Sequence, residues 1–426
     1  MLARAKTHRF LALVIVAACN EHDEWVLSVG HALGTIDTVQ CTYESTMGTR
    51  GRIVALRTWS VFALLLACGT SPTMPRPDAT TGTGMEGGMG NDAGADAKGS
   101  FAPFLFTAEM ASNTVAKVDL ATGTVMKRVE VGQAPVDLAH DSARGYVYVS
   151  ASEDGLSVVR MSDLNVASLA VPGLGKAPIG LAFTSAGDRL LVTTRGSDGK
   201  PSADDTVDFV SLNATTWPPT AKLEGSTSVR EHPVCVLIDQ KGTPALVNVR
   251  DKLGIALIDM STRAIVAQAA NLPAHAEPEG CSRHPSKNIA YVTLHGTSRS
   301  IQIVDLDARN FGALVPIAHT ESARPSGGWF TPDGNRFYVS GQSVNTVFLF
   351  DTSTVTSPTQ DTPVALKVGI APHTIIFVGD KAYVANTANG RPTGSISVIA
   401  NWAATPTVEA TIASDLKDPL GFVFVD

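Results

Sequence analysis

"RPSGGWFTPDGNRFYVSGQSVNTVFLFDTSTVT" runs from Arg324 to Thr356 and holds three short apolar runs. The first follows Pro325. The turn "TPDGN" leads into the second, "RFYVSG", and "NTVFLFD" is the third. Asp, Gly and Asn suit a tight hairpin, because they tolerate the backbone angles that such turns impose. Internal repetition decides whether this is one hairpin or one copy of a larger plan.

The pattern recurs. Pro135, Pro178, Pro233, Pro278, Pro325, Pro372 and Pro419 each open a short, mostly apolar segment, at spacings of 43, 55, 45, 47, 47 and 47 residues. Six of these segments are followed by a turn and a second run: "GYVYVS", "RLLVTT", "PALVNV", "IAYVTL", "RFYVSG" and "KAYVAN". Seven third runs alternate apolar and polar positions, among them "NTVAKVDL", "SIQIVDL" and "GSISVIA". A fourth, weaker run such as "TVMKRVEV" leads to the next proline. Four strands of ordinary length fill such a unit and leave no room for a helix.

The combination of proline, hairpin and "AYVANTANG…GSISVIA" resembles the YVTN-type β-propeller repeat over roughly residues 102–426. The resemblance implies an all-β, seven-bladed propeller of four-stranded antiparallel blades. A lone sheet of this kind has two apolar faces, and stacking in a ring hides both. After Pro419 only "LGFVFVD" remains, while the opening strands "FAPFLFTAEM", "NTVAKVDL" and "TVMKRVEV" lack a proline strand. The C-terminal strand is therefore expected to join the N-terminal blade as its innermost member.

The first hundred residues read differently. "MLARAKTHRFLALVIVAAC" and, from Met47, "MGTRGRIVALRTWSVFALLLAC" each have a basic start, an apolar stretch too short to span a bilayer, and a Cys after small residues. Both resemble the bacterial lipobox. Only Cys68 is followed by a stretch poor in large apolar residues, which fits a flexible tether. The expected organisation is an over-extended start or alternative signal at 1–46, a lipoprotein signal at 47–67, a linker at 68–100 and the propeller at 101–426. Cys68 is the expected lipidation site, with Cys19 the alternative. Gly69, where an inner-membrane lipoprotein tends to carry Asp, favours export to the outer membrane, with the membrane touched through the lipid alone.

The chain has 426 residues, a net charge of −7, no basic block and only five cysteines. Nucleic-acid binding gets no support, nor do zinc ribbons, thioredoxin chemistry or c-type haem. A monomer without cofactor is expected. The proline segments gather at one mouth of the ring, and their polar residues are Asp137, Glu231, His232, Glu277, Glu279, Arg324, His373 and Asp418. Loops at 195–205 and 387–394 are enlarged on the same face, where binding usually resides. The leading reading is a non-catalytic binding module for a protein, peptide or polysaccharide. The competing reading is a rim enzyme, either a metal-dependent oxidoreductase or a lactonase-like hydrolase; His232, His275, His284 and His373 with Glu277 and Glu279 would supply ligands. Cys235 and Cys281, on neighbouring innermost strands, are either a disulfide or two buried thiols.

Overall fold

Each of the seven prolines opens the innermost strand of a four-stranded antiparallel sheet. The computed structural model describes residues 103–425 apart from 185, 197–202, 231, 251–253, 270–271, 320–321 and 391–392, with the backbone of four short strands before residue 55. The chain divides into two units, Met1–Gly94 and Ala95–Asp426. In the first, Ala12–Cys19 pairs with Trp25–Ala32, and Gln40–Glu44 with Arg50–Val54. Cys68 and the linker at 68–100 lie outside the described residues, as does most of the two expected leaders. Among the described residues no helix is long and apolar enough to cross a membrane.

Within a blade the strands run outward in sequence order. Blade 1 is the exception: Pro419–Val425 lies beside Phe104–Glu109, followed by Thr114–Asp119 and Thr124–Glu130. The ring thus closes as expected. The buried carboxylate of Glu109 secures the closure. It accepts hydrogen bonds from Arg128 Nε at 2.8 Å, Thr114 Oγ1 at 2.6 Å and the Lys417 amide at 2.9 Å, which ties the entry to the closing strand onto blade 1. Among the described residues of the propeller, helical content is limited to single turns at Met110–Ser112, Gln342–Val344 and Ala388–Gly390.

The buried apolar side chains fall into seven clusters, one at each blade interface. Leu105 and Val118 of blade 1 pack with Tyr383 and Ile396 of blade 7, so the first interface is also the last. Burying one such side chain stabilises by roughly 1.5–3 kcal/mol, and no blade can collect that from its own residues alone. Two tyrosines of the second strands add directed ties. Tyr291 Oη donates to Val355 O of the next blade at 2.5 Å, and Tyr338 Oη to Trp402 O at 2.9 Å.

Candidate functional site

One backbone device repeats around the mouth. The residue before each proline has a left-handed φ: Ala134, Ala177, His232, Glu277, Arg324, Ala371 and Asp418 lie between 36° and 57°. Non-glycine residues adopt such angles at a cost. In return the carbonyl of each accepts an amide from the end of the same blade's second strand. The donors are Ser152, Arg195, Arg250, His295, Gln342, Thr387 and Met110. Strand pairing then becomes irregular just after every proline. A strain that recurs in all seven blades belongs to the scaffold.

The irregularity frees polar backbone groups near the axis, and in blades 2–5 a buried side chain satisfies one in each blade: Ser150, Thr193, Asn248 and Thr293 accept the amides of Asp137, Gly180, Cys235 and Gly280. Ser150, Thr193, Asn248, Thr293 and Ser340 occupy equivalent, fully buried places in blades 2–6. Asn248 shows the device best. Its Oδ1 accepts the Cys235 amide at 2.6 Å, and its Nδ2 donates to Glu279 O of the next blade at 2.6 Å. Ser150 and Thr193 likewise donate across their interfaces to Ile179 O (2.5 Å) and Val234 O (3.3 Å). Glycine fits where blades touch most closely: a Cβ on Gly180 would lie 2.3 Å from Val234 O.

The side chains of the strand-end column break the symmetry. Blades 3–6 present Arg195, Arg250, His295 and Gln342, whereas blades 7, 1 and 2 present Thr387, Met110 and Ser152. Arg250 holds Glu279 with two hydrogen bonds, Nε–Oε2 at 2.8 Å and Nη2–Oε1 at 2.7 Å. Such forked pairs fix geometry as well as charge. His295 Nδ1 lies 3.5 Å from Glu277, and its Nε2 lies 3.3 Å from Gln342 Oε1.

Electrostatics follow from this crowding. Burial alone would raise the Glu279 carboxyl, but Arg250, His295 and His373 outweigh it and leave it below the ordinary range. Burial lowers His373; Glu279 opposes this, while His295 and Arg250 reinforce it, so the imidazole is neutral at pH 7. Burial, then Arg250, brings Arg195 down to about 10, with Glu279 and Asp205 pulling the other way. It therefore keeps its charge at neutral pH.

The residues anticipated at the rim separate into groups. Glu279 and His373 interact within the cluster, and Glu277 joins it through His295. Arg324 is exposed, and Asp418 is a backbone pivot at the closure. His232 is a pivot whose amide donates to Asp205 Oδ2 at 3.2 Å. Asp137 instead ties two blades together, accepting the Leu138 amide at 2.9 Å and the Leu181 amide of blade 3 at 2.9 Å. Burial pushes it up to about 6 although both amides pull it down. Glu231 lies outside the described residues, and of Cys19 only the backbone is described.

The histidine set does not assemble. His284 sits in the turn after blade 5's innermost strand, where its Nδ1 accepts the Ser286 (3.2 Å) and Lys287 (3.1 Å) amides. Asp141 and Asp239 cap the corresponding turns of blades 2 and 4. His284 is thus a turn cap at the far end of the strands. His275 is exposed. Among the described residues no group of three or more His, Cys, Asp or Glu could hold a metal ion. Cys235 and Cys281 form a disulfide across blades 4 and 5, with their Cα atoms 5.9 Å apart. The sequence reading missed Arg195, Arg250, His295 and Gln342, which would have shown in a column six residues along each "YVxN" run.

No family profile and no curated protein matches the chain. Solved structures do. The Pseudomonas aeruginosa periplasmic gluconolactonase is 15% identical, with a TM-score of 0.61, covering 76% of this chain and 99% of its own. Hydrazine synthase of Kuenenia stuttgartiensis is 16% identical, with a TM-score of 0.59, covering 74% and 99%. A dihydro-heme d1 dehydrogenase is 13% identical, with a TM-score of 0.51, covering 76% and 75%. The shared property is the propeller fold. Three different chemistries on one scaffold leave function to the site itself.

Proposed function

We propose that this protein is an exported, lipid-anchored propeller that serves as a non-catalytic binding module at the cell envelope. Its ligand is a protein, peptide or polysaccharide engaged by the mouth over blades 3–6. The observation that carries this is the one-sided cluster of Arg195, Arg250, Glu279, His295 and Gln342. Its members already brace one another, Arg250 against Glu279 and His295 against Gln342. Side chains held in advance lose little freedom when a ligand arrives.

The full chain, used as bait in envelope extracts, should retain a partner that the folded His295→Ala variant loses. Radiolabelled palmitate should enter the protein and be lost on Cys68→Ala but not on Cys19→Ala. Stoichiometric copper, calcium or zinc that disappears on His232→Ala would overturn the binding reading.

A second reading rests on His373. A neutral imidazole beside an ionised carboxylate is suited to act as a general base, and a gluconolactonase shares the fold. Hydrolysis of gluconolactone by the pure protein, abolished in His373→Ala, would establish the hydrolase in place of the binding module.

A further inference from the structure

Seven interfaces hold the ring, and one carries a tie that the others lack. Cys235 and Cys281 are the only cysteines after residue 68, so the disulfide between blades 4 and 5 has no equivalent elsewhere in the propeller. Blades 2 and 3, and blades 3 and 4, are joined near the axis by one hydroxyl each, Ser150 to Ile179 O and Thr193 to Val234 O. The scaffold therefore does not require a covalent bond at this place. The interface that has one is also the interface spanned by the Arg250–Glu279 pair.

The bonds around that pair close into a circuit. Cys281 lies two residues beyond Glu279 on the innermost strand of blade 5. Glu279 O accepts from Asn248 Nδ2, Asn248 Oδ1 accepts the Cys235 amide, and the disulfide leads back to Cys281. Arg250, two residues past Asn248, holds the Glu279 carboxylate. Neither cysteine is sealed in a core, since both are half-buried. The open state is also provided for: Cys235 Sγ lies 3.5 Å from Cys281 O, an acceptor for the reduced thiol. We propose that this disulfide is a redox switch on the mouth. Closed, it holds Glu279 and Arg250 in the binding geometry; opened, it releases the blade 5 strand that carries Glu279. The reductant is a dithiol. One of its thiolates attacks a cysteine sulfur, forming a mixed disulfide while the other cysteine leaves as thiolate; its second thiolate then displaces the remaining cysteine. Two electrons and two protons pass to the protein, which gains two thiols, and the reductant becomes a disulfide.

The switch rests on the mouth being a binding surface, and its test separates the two. The full chain is treated with dithiothreitol under native conditions. Alkylation and peptide mass mapping should find free thiols at Cys235 and Cys281 while the far-UV circular dichroism stays unchanged. The imidazole NMR signals of His295 and His373, which both act on Glu279, should move on reduction; that of His140 on blade 2 should not. Affinity for the envelope partner should fall about tenfold or more as the preset geometry is lost, and return on reoxidation. The double variant Cys235→Ser, Cys281→Ser should match the reduced protein with or without dithiothreitol. Thiols that appear only in denaturant, imidazole signals unmoved by reduction, or equal affinity in both redox forms would each overturn the switch. If the double variant fails to fold, the reversible reduction of the wild type decides. Capture of no partner in either redox form would remove the binding reading, and the imidazole signals would then decide the switch alone.

Discussion

The two halves of the mouth share a backbone and differ in chemistry. Blades 7, 1 and 2 end their second strands in Thr387, Met110 and Ser152; blades 3–6 end theirs in Arg195, Arg250, His295 and Gln342. Both halves use the same left-handed residue before proline and the same amide-to-carbonyl bond. The scaffold therefore asks only for backbone at these positions, and the choice of side chain there answers to other demands. Two columns further in, the demand reverses. Ser150, Thr193 and Asn248 are buried and bonded across blades, so their side chains are part of the frame.

This contrast can be broken at several strengths. The largest effect should come from removing residues 419–426. Blade 1 loses its innermost strand, and the clusters shared with blades 7 and 2 lose Phe422 and Val423. Calorimetry should then show no cooperative unfolding transition; an unchanged melting curve would refute closure. Asn248→Ala should cost roughly 2–4 kcal/mol, because the Cys235 amide and Glu279 carbonyl lose their partner in a buried place. Urea unfolding measures this.

Asp137 tests the frame through pH. Its folded value of about 6 lies above the ordinary 3.8. The folded protein therefore holds a proton that the unfolded chain has released. Stability from this group is full below about pH 4 and is lost as pH rises through about 6. Urea midpoints should fall across that window in the wild type, with the slope reduced in Asp137→Asn. The smallest effect belongs to Arg324→Ala. It places at blade 6 the alanine that blades 2, 3 and 7 carry at the same pivot, as Ala134, Ala177 and Ala371. Tm should move by less than the error of measurement; a large drop would show that the pivot side chains matter to the fold.

The ring was legible because its signals are local and repeated. Prolines, hairpin turns and alternating runs come in register seven times, and "LGFVFVD" is a strand in search of a sheet. The cluster was only half legible. Glu279, Glu277 and His373 stand beside prolines, so anchoring on proline found them. Arg195, Arg250, His295 and Gln342 stand at the far end of the next strand, and only the folded bond between strand end and pivot brings the two sets together. His284 was grouped with the wrong end, since a residue six past its proline has already crossed the blade to the opposite turn. Asp137 looked like a rim carboxylate because nothing in "APVDLA" tells that its oxygens accept amides from two blades.

The closing strand is synthesised some three hundred residues after the strand it pairs with, since Glu109 and Lys417 meet across 308 positions. The ribosome thus releases most of this protein before the first sheet can be finished. Throughout that interval the growing chain has an unsealed seam, and locking comes late, once both seam edges have emerged.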